Sequence, residues 1–152
     1  MMKSIYLMVS LLAILSFSNC SKDDVNQPAI DKELILQYLA DNNIDAIEHE
    51  SGLFYTIEEE GSGGHPNSNS EVLVKYKGYL LDGSVFDETG NDAITFFLYN
   101  VITGWRIGIP LYQKNGKGKL FIPSHLGYGS FDRTGIPANS VLVFEVELLN
   151  FQ

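Results

Sequence analysis

The chain has 152 residues, 45% of them hydrophobic and 19% charged, with a formal net charge of −9 at pH 7. That length and balance describe one globular domain with appendages and exclude a wholly disordered chain. The acidic excess repels phosphate backbones and anionic head groups, so nucleic acid is not an expected partner.

The first segment, MMKSIYLMVSLLAILSFSNC, has one early cation, Lys3, then an apolar run from Ile5 to Phe17, then small and polar residues before Cys20. This is the pattern of a secretory signal over residues 1–19, and the run is short for a membrane span. Cys20 is the only cysteine, so no intrachain disulfide can form. A lone thiol in an exported chain calls for a use. The stretch SFSNC resembles a bacterial lipoprotein cleavage box, with Asn19 where a small residue is usual, which implies lipidation of Cys20 as the first mature residue. The following SKDD resembles the Lys-acidic tag of surface-exposed lipoproteins in some double-membraned bacteria. The expectation is a cell-envelope lipoprotein, at the outer membrane or cell surface rather than the inner membrane. Removing residues 1–19 takes away Lys3 and no acid, leaving 9 basic and 19 acidic residues and a net charge of −10.

Residues 20–30, the cysteine and a polar stretch containing Pro28, read as a tether reaching roughly 30 Å when extended. DKELILQYLADNN follows and predicts a short amphipathic helix over 31–43. Asp31 stands as its cap, Leu34, Ile35, Tyr38 and Leu39 share one face, and Asp41-Asn42-Asn43 ends it. It offers no stripe for dimerisation, so a monomer is expected. From Gly52 the period changes to two. GLFYTIEEEG, EVLVKYKGYLL, SVFDE, AITFFLY, GKGKLFIPS and SVLVFEVELLNF read as strands. GSGGHPNSNS is a flexible loop, Asp82-Gly83 a hairpin turn, and HLGYGSFDRTGIPAN a long connection. VITGWRIGIP, which holds the only tryptophan, has room for about two helical turns. Strands outnumber helices, which predicts an α+β fold with an antiparallel sheet on a short helix.

The chemistry on offer is narrow. His49, His65 and His125 stand apart in the sequence and no calcium-loop pattern occurs, so no metal is expected. Glu58-Glu59-Glu60 reads as a solvated strand end. GSGG follows a strand but opens no helix, so it fails as a phosphate loop. There is no Gly-x-Ser-x-Gly elbow and no available thiol nucleophile. A reaction here would run without covalent intermediates and without a cofactor.

Four stretches, VKYKGYLLDGSVFDET, VITGWRIG, KLFIPSHLGYG and GIPANSVLVFEVELL, stand in an order and spacing that resembles the FKBP-type peptidyl-prolyl cis-trans isomerases. The resemblance covers 51–152, about two thirds of the chain. It implies a half-barrel sheet of five or six antiparallel strands wrapped on the short helix, with a proline pocket between them. Trp105 then forms the pocket floor, at once core and binding surface. Tyr76 matches a wall tyrosine, Phe86 the pocket phenylalanine and Asp87 a buried acid beside it. Val101 and Ile102 match one rim, with the Ile102 backbone N–H as donor to a ligand carbonyl. Tyr128 matches the tyrosine whose hydroxyl holds the amide carbonyl, Ile136 the loop side and Phe144 the inner wall, with Phe96 and Ile94 completing the substrate-binding set. The connection from Phe86 to Phe96 is about two residues shorter than in small eukaryotic members, and Ile94 stands where an aromatic residue is common.

Two functional readings follow. One is a lipid-anchored isomerase acting on X–Pro bonds of exported polypeptides by non-covalent catalysis. The other is a catalytically weak envelope module that binds proline-containing segments. A general holdase is disfavoured, because the connection from HLGYG to IPANS is too short for an inserted flap domain.

Overall fold

The structure, a computed structural model, describes residues 26–152. The signal segment 1–19, Cys20, SKDD and the tether up to residue 25 lie outside the described residues.

The first helix, α1 (Gln27–Asp41), begins behind Asn26, whose side-chain oxygen accepts from the Ala29 N–H at 3.4 Å. Pro28 falls in the first turn, where an N–H has no helical acceptor to lose. It starts the helix instead of lengthening the tether, so α1 takes in residues 27–30 and opens four residues ahead of Asp31. Asp31, expected as the cap, is an interior residue and is 0% exposed. The buried side is Asp31, Ile35 and Leu39, with Tyr38 half-buried at its margin; Leu34, expected on that face, is exposed.

Seven strands form one antiparallel sheet. They are β1 (Ile47–Glu48), β2 (Phe54–Tyr55), β3 (Glu71–Leu80), β4 (Val85–Glu88), β5 (Ile94–Phe97), β6 (Gly116–Ile122) and β7 (Leu142–Phe151). The order is β1-β2-β6-β7-β3-β4, and β5 pairs with β3 on the same side as β4, further along the strand. The strand beyond the expected six is β1, a two-residue arm too short for any alternation to reveal. The GLFYTIEEEG stretch is regular strand only at Phe54–Tyr55. Asp82-Gly83 makes the expected turn: Gly83 has φ +87°, and the Asp82 carboxylate accepts from the Ser84 N–H at 2.8 Å.

Alternation along β3, β6 and β7 gives the sheet two different faces. Val72, Val74, Leu120, Ile122, Phe144, Val146 and Leu148 point into the main core, where they meet Leu98, Trp105, Ile109 and Tyr112. On the opposite face α1 packs Ile35 and Leu39 against Phe54, Tyr79, Phe121 and Val143. Fully burying each such side chain contributes about 1.5–3 kcal/mol. Beyond the helix that face becomes a charge ladder. Glu147 on β7 stands between Lys75 and Lys117, and Glu145 between Lys77 and Lys119, each directly across a neighbouring strand.

The second helix, α2 (Thr103–Gly108), lies close over β6. Gly104 and Gly108 permit it: a β-carbon on Gly104 would stand 2.5 Å from Ile122, and one on Gly108 2.6 Å from Leu120. Among the described residues no helix is long and apolar enough to cross a membrane.

Candidate functional site

The site lies on the core side of the sheet, where the β3–β4 and β3–β7 ladders meet at Gly78. That residue is level with Asp87 on one neighbour and Phe144 on the other, and the β3–β4 register shifts immediately after it. A β-carbon there would stand 2.7 Å from atoms of both Phe86 and Phe144. The missing side chain lets the two rings meet edge to face at 5.5 Å.

Around this pair the aromatic residues close into a cluster. The indole of Trp105, on the first turn of α2, meets Tyr76 at 5.0 Å, Phe144 at 5.3 Å and Phe96 at 5.6 Å, all edge to face. Such arrangements add about 0.5–1.5 kcal/mol each beyond the area they bury. Trp105 is 4% exposed, and its indole N–H finds no nitrogen or oxygen acceptor among the described residues. The aromatic faces around it are the electron density within reach.

These rings bound a cavity of about 300 Å³, whose lining also includes Asp87, Asn100, Val101, Ile102 and Tyr128. Tyr76, Phe86, Phe96, Trp105 and Phe144 give it an apolar interior. Ile102 is the residue before α2; its carbonyl accepts from the N–H groups of Trp105 and Arg106, at 3.0 and 3.1 Å. Its own N–H has no partner among the described residues, nor does the Tyr128 hydroxyl. The Arg133 guanidinium stands 5.8 Å from the Tyr128 ring centre.

Polar order in the cavity comes from one contact. The Tyr76 hydroxyl donates to Asp87 Oδ2 at 2.6 Å. Burial first, and then the hydrogen bond to Asp87, push the Tyr76 phenol well above its ordinary value, so it remains a donor throughout the neutral range. Asp87, expected to be buried, is exposed to solvent. β4 is short and pairs only with β3, so nothing covers the outer side of its carboxylate.

Two expected lining residues lie elsewhere. Ile136 is 5% exposed and packs in the same core cluster as Trp105 and Phe144, outside the residues that line the cavity. Ile94 is 43% exposed at the start of β5, opposite Val74. It shares a face with Phe96, but two residues along a strand carry it about 7 Å from that ring's position. Asn100, which ends the turn after β5, lines the cavity without having been flagged by the sequence; a lone polar residue in a turn carries no periodic signal.

Among the described residues no group of three or more histidine, cysteine or acidic side chains is placed to hold a metal. His49 bonds Ser51 at 3.0 Å and His65 the Pro110 carbonyl at 2.9 Å, and neither lines the cavity. A larger, shallower groove of about 490 Å³ runs along the charge ladder, where paired lysines and glutamates neutralise one another.

Comparison with known proteins gives a consistent picture. The family model described as FKBP-type peptidyl-prolyl cis-trans isomerase matches residues 63–149. A curated relative, the FKBP-type peptidyl-prolyl cis-trans isomerase FkpA of Escherichia coli strain K12, is 46% identical over 102 residues, 66% of this chain and 38% of the relative. The FkpA of Buchnera aphidicola from Schizaphis graminum is 45% identical over 105 residues, 67% of this chain and 42% of the relative. The chain therefore spans about two fifths of the length of these curated relatives. The crystal structure of FkpA from Escherichia coli superposes with a TM-score of 0.73 at 39% identity, covering 86% of this chain and 62% of that one. That of AtFKBP13 gives 0.66 at 30% identity, covering 71% of this chain and 99% of that one.

Proposed function

The chain belongs to the FKBP-type peptidyl-prolyl cis-trans isomerase family, and from that membership we propose that it isomerises X–Pro bonds in exported polypeptides while held to the cell envelope by a lipid on Cys20. The observation that carries the reading is the cavity of about 300 Å³, walled by Tyr76, Phe86, Phe96 and Phe144 and floored by Trp105.

Rotation of an X–Pro amide must break resonance across a barrier of ~20 kcal/mol. The planar amide is more dipolar than the twisted one. Moving it from water into an aromatic slot therefore disfavours the ground state more than the transition state. In this reading the proline ring lies against Trp105, the Tyr128 hydroxyl and the Ile102 N–H hold flanking carbonyls, and Asp87 orients Tyr76. No side chain of the cavity is asked to form a bond or carry away a proton. A thousandfold acceleration needs only about 4 kcal/mol off the barrier.

The anchor rests on the lipoprotein-like SFSNC and SKDD stretches, and the outer membrane or cell surface is the proposed location. The protein acts as a monomer in this reading, since Ile35 and Leu39 of α1 are already engaged by its own sheet. The clients are proline-containing polypeptides. The test is isomerisation of an Xaa-Pro tetrapeptide by the purified chain. A rate clearly above that of buffer is expected, and a rate equal to buffer would leave a proline-binding module in its place.

A further inference from the structure

Asp31 is a carboxylate at 0% exposure that the reaction does not use, and it lies on the opposite face of the sheet from the cavity. Its contacts lead to the cavity nonetheless. Asp31 Oδ1 accepts from Gln27 Nε2 at 2.7 Å, within α1. Oδ2 accepts from Ser124, from the backbone N–H at 2.8 Å and the hydroxyl at 2.6 Å. Ser124 is 1% exposed and opens the 3-10 turn Ser124–Leu126. Its carbonyl in turn accepts from two N–H groups, of Gly127 at 2.9 Å and of Gly129 at 2.8 Å. Those two glycines bracket Tyr128. The Gly129 carbonyl accepts from the Asn139 N–H at 2.8 Å, which secures the far side of the same loop.

We propose that Asp31 is a positioning residue for the pocket: its buried carboxylate fixes Ser124, and through the Ser124 carbonyl sets the stretch Gly127–Gly129 that places the Tyr128 hydroxyl. The physical case is the cost of the alternative. A carboxylate out of water is tolerated where its oxygens are hydrogen-bonded, and charge-assisted bonds of this kind are stronger than neutral ones. Asp31 spends both oxygens, and the one that reaches beyond α1 grips the residue from which the Tyr128 loop is hung. Ser124 has no other side-chain tie, and the loop beyond it is exposed from Ser130 to Gly135. Without the Asp31 contact the near side of the segment would be held by the Leu126 side chain and its internal turns, and the far side by the Asn139 N–H on the Gly129 carbonyl.

The inference rests on the isomerase reading for its consequence but not for its geometry, so the experiment reads both. Asp31→Ala, Asp31→Asn, Ser124→Ala and Ile35→Ala would be made in the full chain. Ile35→Ala removes a buried contact of α1 with the sheet while keeping the Asp31 carboxylate, and serves as a control for lost helix packing. The readouts are kcat/KM on an Xaa-Pro tetrapeptide well below each melting point, and NMR signals of the Gly127 and Gly129 amides and the Tyr128 ring. Asp31→Ala is expected to move those signals and lower kcat/KM about tenfold, less than the hundredfold that a 1 Å misplacement can cost. Asp31→Asn keeps an acceptor oxygen for Ser124 and should return both towards the parent. Ser124→Ala loses only the hydroxyl donor and should move the same signals less; it keeps the test alive if Asp31→Ala does not fold. Ile35→Ala should leave the signals in place and kcat/KM within about twofold of the parent. Glycine and Tyr128 signals that stay put in the Asp31 and Ser124 variants would overturn the proposal, as would signals that move with no change in kcat/KM. A parent without isomerase activity would sink the functional reading, while the signals would still decide whether Asp31 places the loop.

Discussion

The Tyr76 hydroxyl and the Asp87 carboxylate, held 2.6 Å apart across the β3–β4 ladder, join the inside of the aromatic cavity to its solvent-facing rim. Asp87 is exposed, so removing it should cost less than about 1 kcal/mol of stability, as for a solvent-accessible hydrogen bond. Its effect on activity should be larger, because Tyr76 also packs on Trp105 and a freed phenol can turn. Asp87→Ala is expected to lower kcat/KM about tenfold, and Asp87→Asn, which still accepts, clearly less. Equal kcat/KM for Asp87→Ala and the parent would remove the carboxylate from the machinery.

Gly78 makes a second prediction. A methyl group there would stand 2.7 Å from Phe86 and from Phe144, so one ring must swing into the cavity. Gly78→Ala should destabilise by about 1–3 kcal/mol, the usual cost of overpacking. Gly108→Ala, which strikes Leu120 at 2.6 Å behind α2, should cost a similar amount. The two should differ in function: Gly78→Ala loses peptide binding and turnover, and Gly108→Ala keeps most of both. Thermal melts paired with peptide titrations separate them.

The sequence carries these two relationships unequally. The period-two stretches around Tyr76, Phe86, Phe96 and Phe144 mark the sheet because a half-buried strand writes its period directly into the chain, whereas the aromatic cavity is legible only through the resemblance of four ordered stretches to a known family. Pairings between distant segments leave no such trace. Nothing local to Asp31 announces that its partner is Ser124, 93 residues on, so an acid ahead of an amphipathic run reads as a cap. Ile94 and Ile136 stand outside the cavity lining for a related reason. A motif fixes which residues are near the pocket, while strand register and loop path decide which of them face it.

Tyr76, Tyr79 and Tyr112 give a prediction about alkaline stability. Burial raises all three phenols well above their ordinary value of 10.0. The sign follows from linkage. In the window above about pH 10 the unfolded chain has released these protons while the folded chain retains them, so the unfolded state binds fewer and stability falls as pH rises. Below pH 10 their contribution is fully present, and activity should show no step from Tyr76 across the neutral range. Denaturant midpoints measured from pH 8 to 12 should decline past about pH 10, in step with the absorbance of ionised tyrosine. A midpoint flat across that range would contradict the burial of these hydroxyls.

Cys20 bears on location. If its thiol carries the anchor, Cys20→Ser should leave the precursor unlipidated and release the protein from membranes, because the mature chain, at a net charge of −10, has little affinity of its own for anionic head groups. Fractionation of cells carrying each form, with a salt wash, reads the result. A serine variant that still pellets with membranes after washing would end the lipoprotein reading.

Trp105 allows the sharpest test, because it is the only tryptophan and its fluorescence is unmixed. Truncating a buried tryptophan to alanine costs about 3–5 kcal/mol. Trp105→Leu should cost less, since leucine still fills much of the space under Tyr76, Phe96 and Phe144. It also removes a buried N–H that has no nitrogen or oxygen acceptor among the described residues, a group whose burial is itself unfavourable by about 1–3 kcal/mol. The two losses partly offset, so the variant should stay folded at ordinary temperature. What it should not keep is the flat indole floor. An Xaa-Pro peptide is expected to change the parent's fluorescence and to bind the leucine variant several-fold more weakly, measured well below its melting point. A tryptophan that serves only the core would give the opposite pattern: a lower melting point, unchanged peptide affinity, and no fluorescence response in the parent.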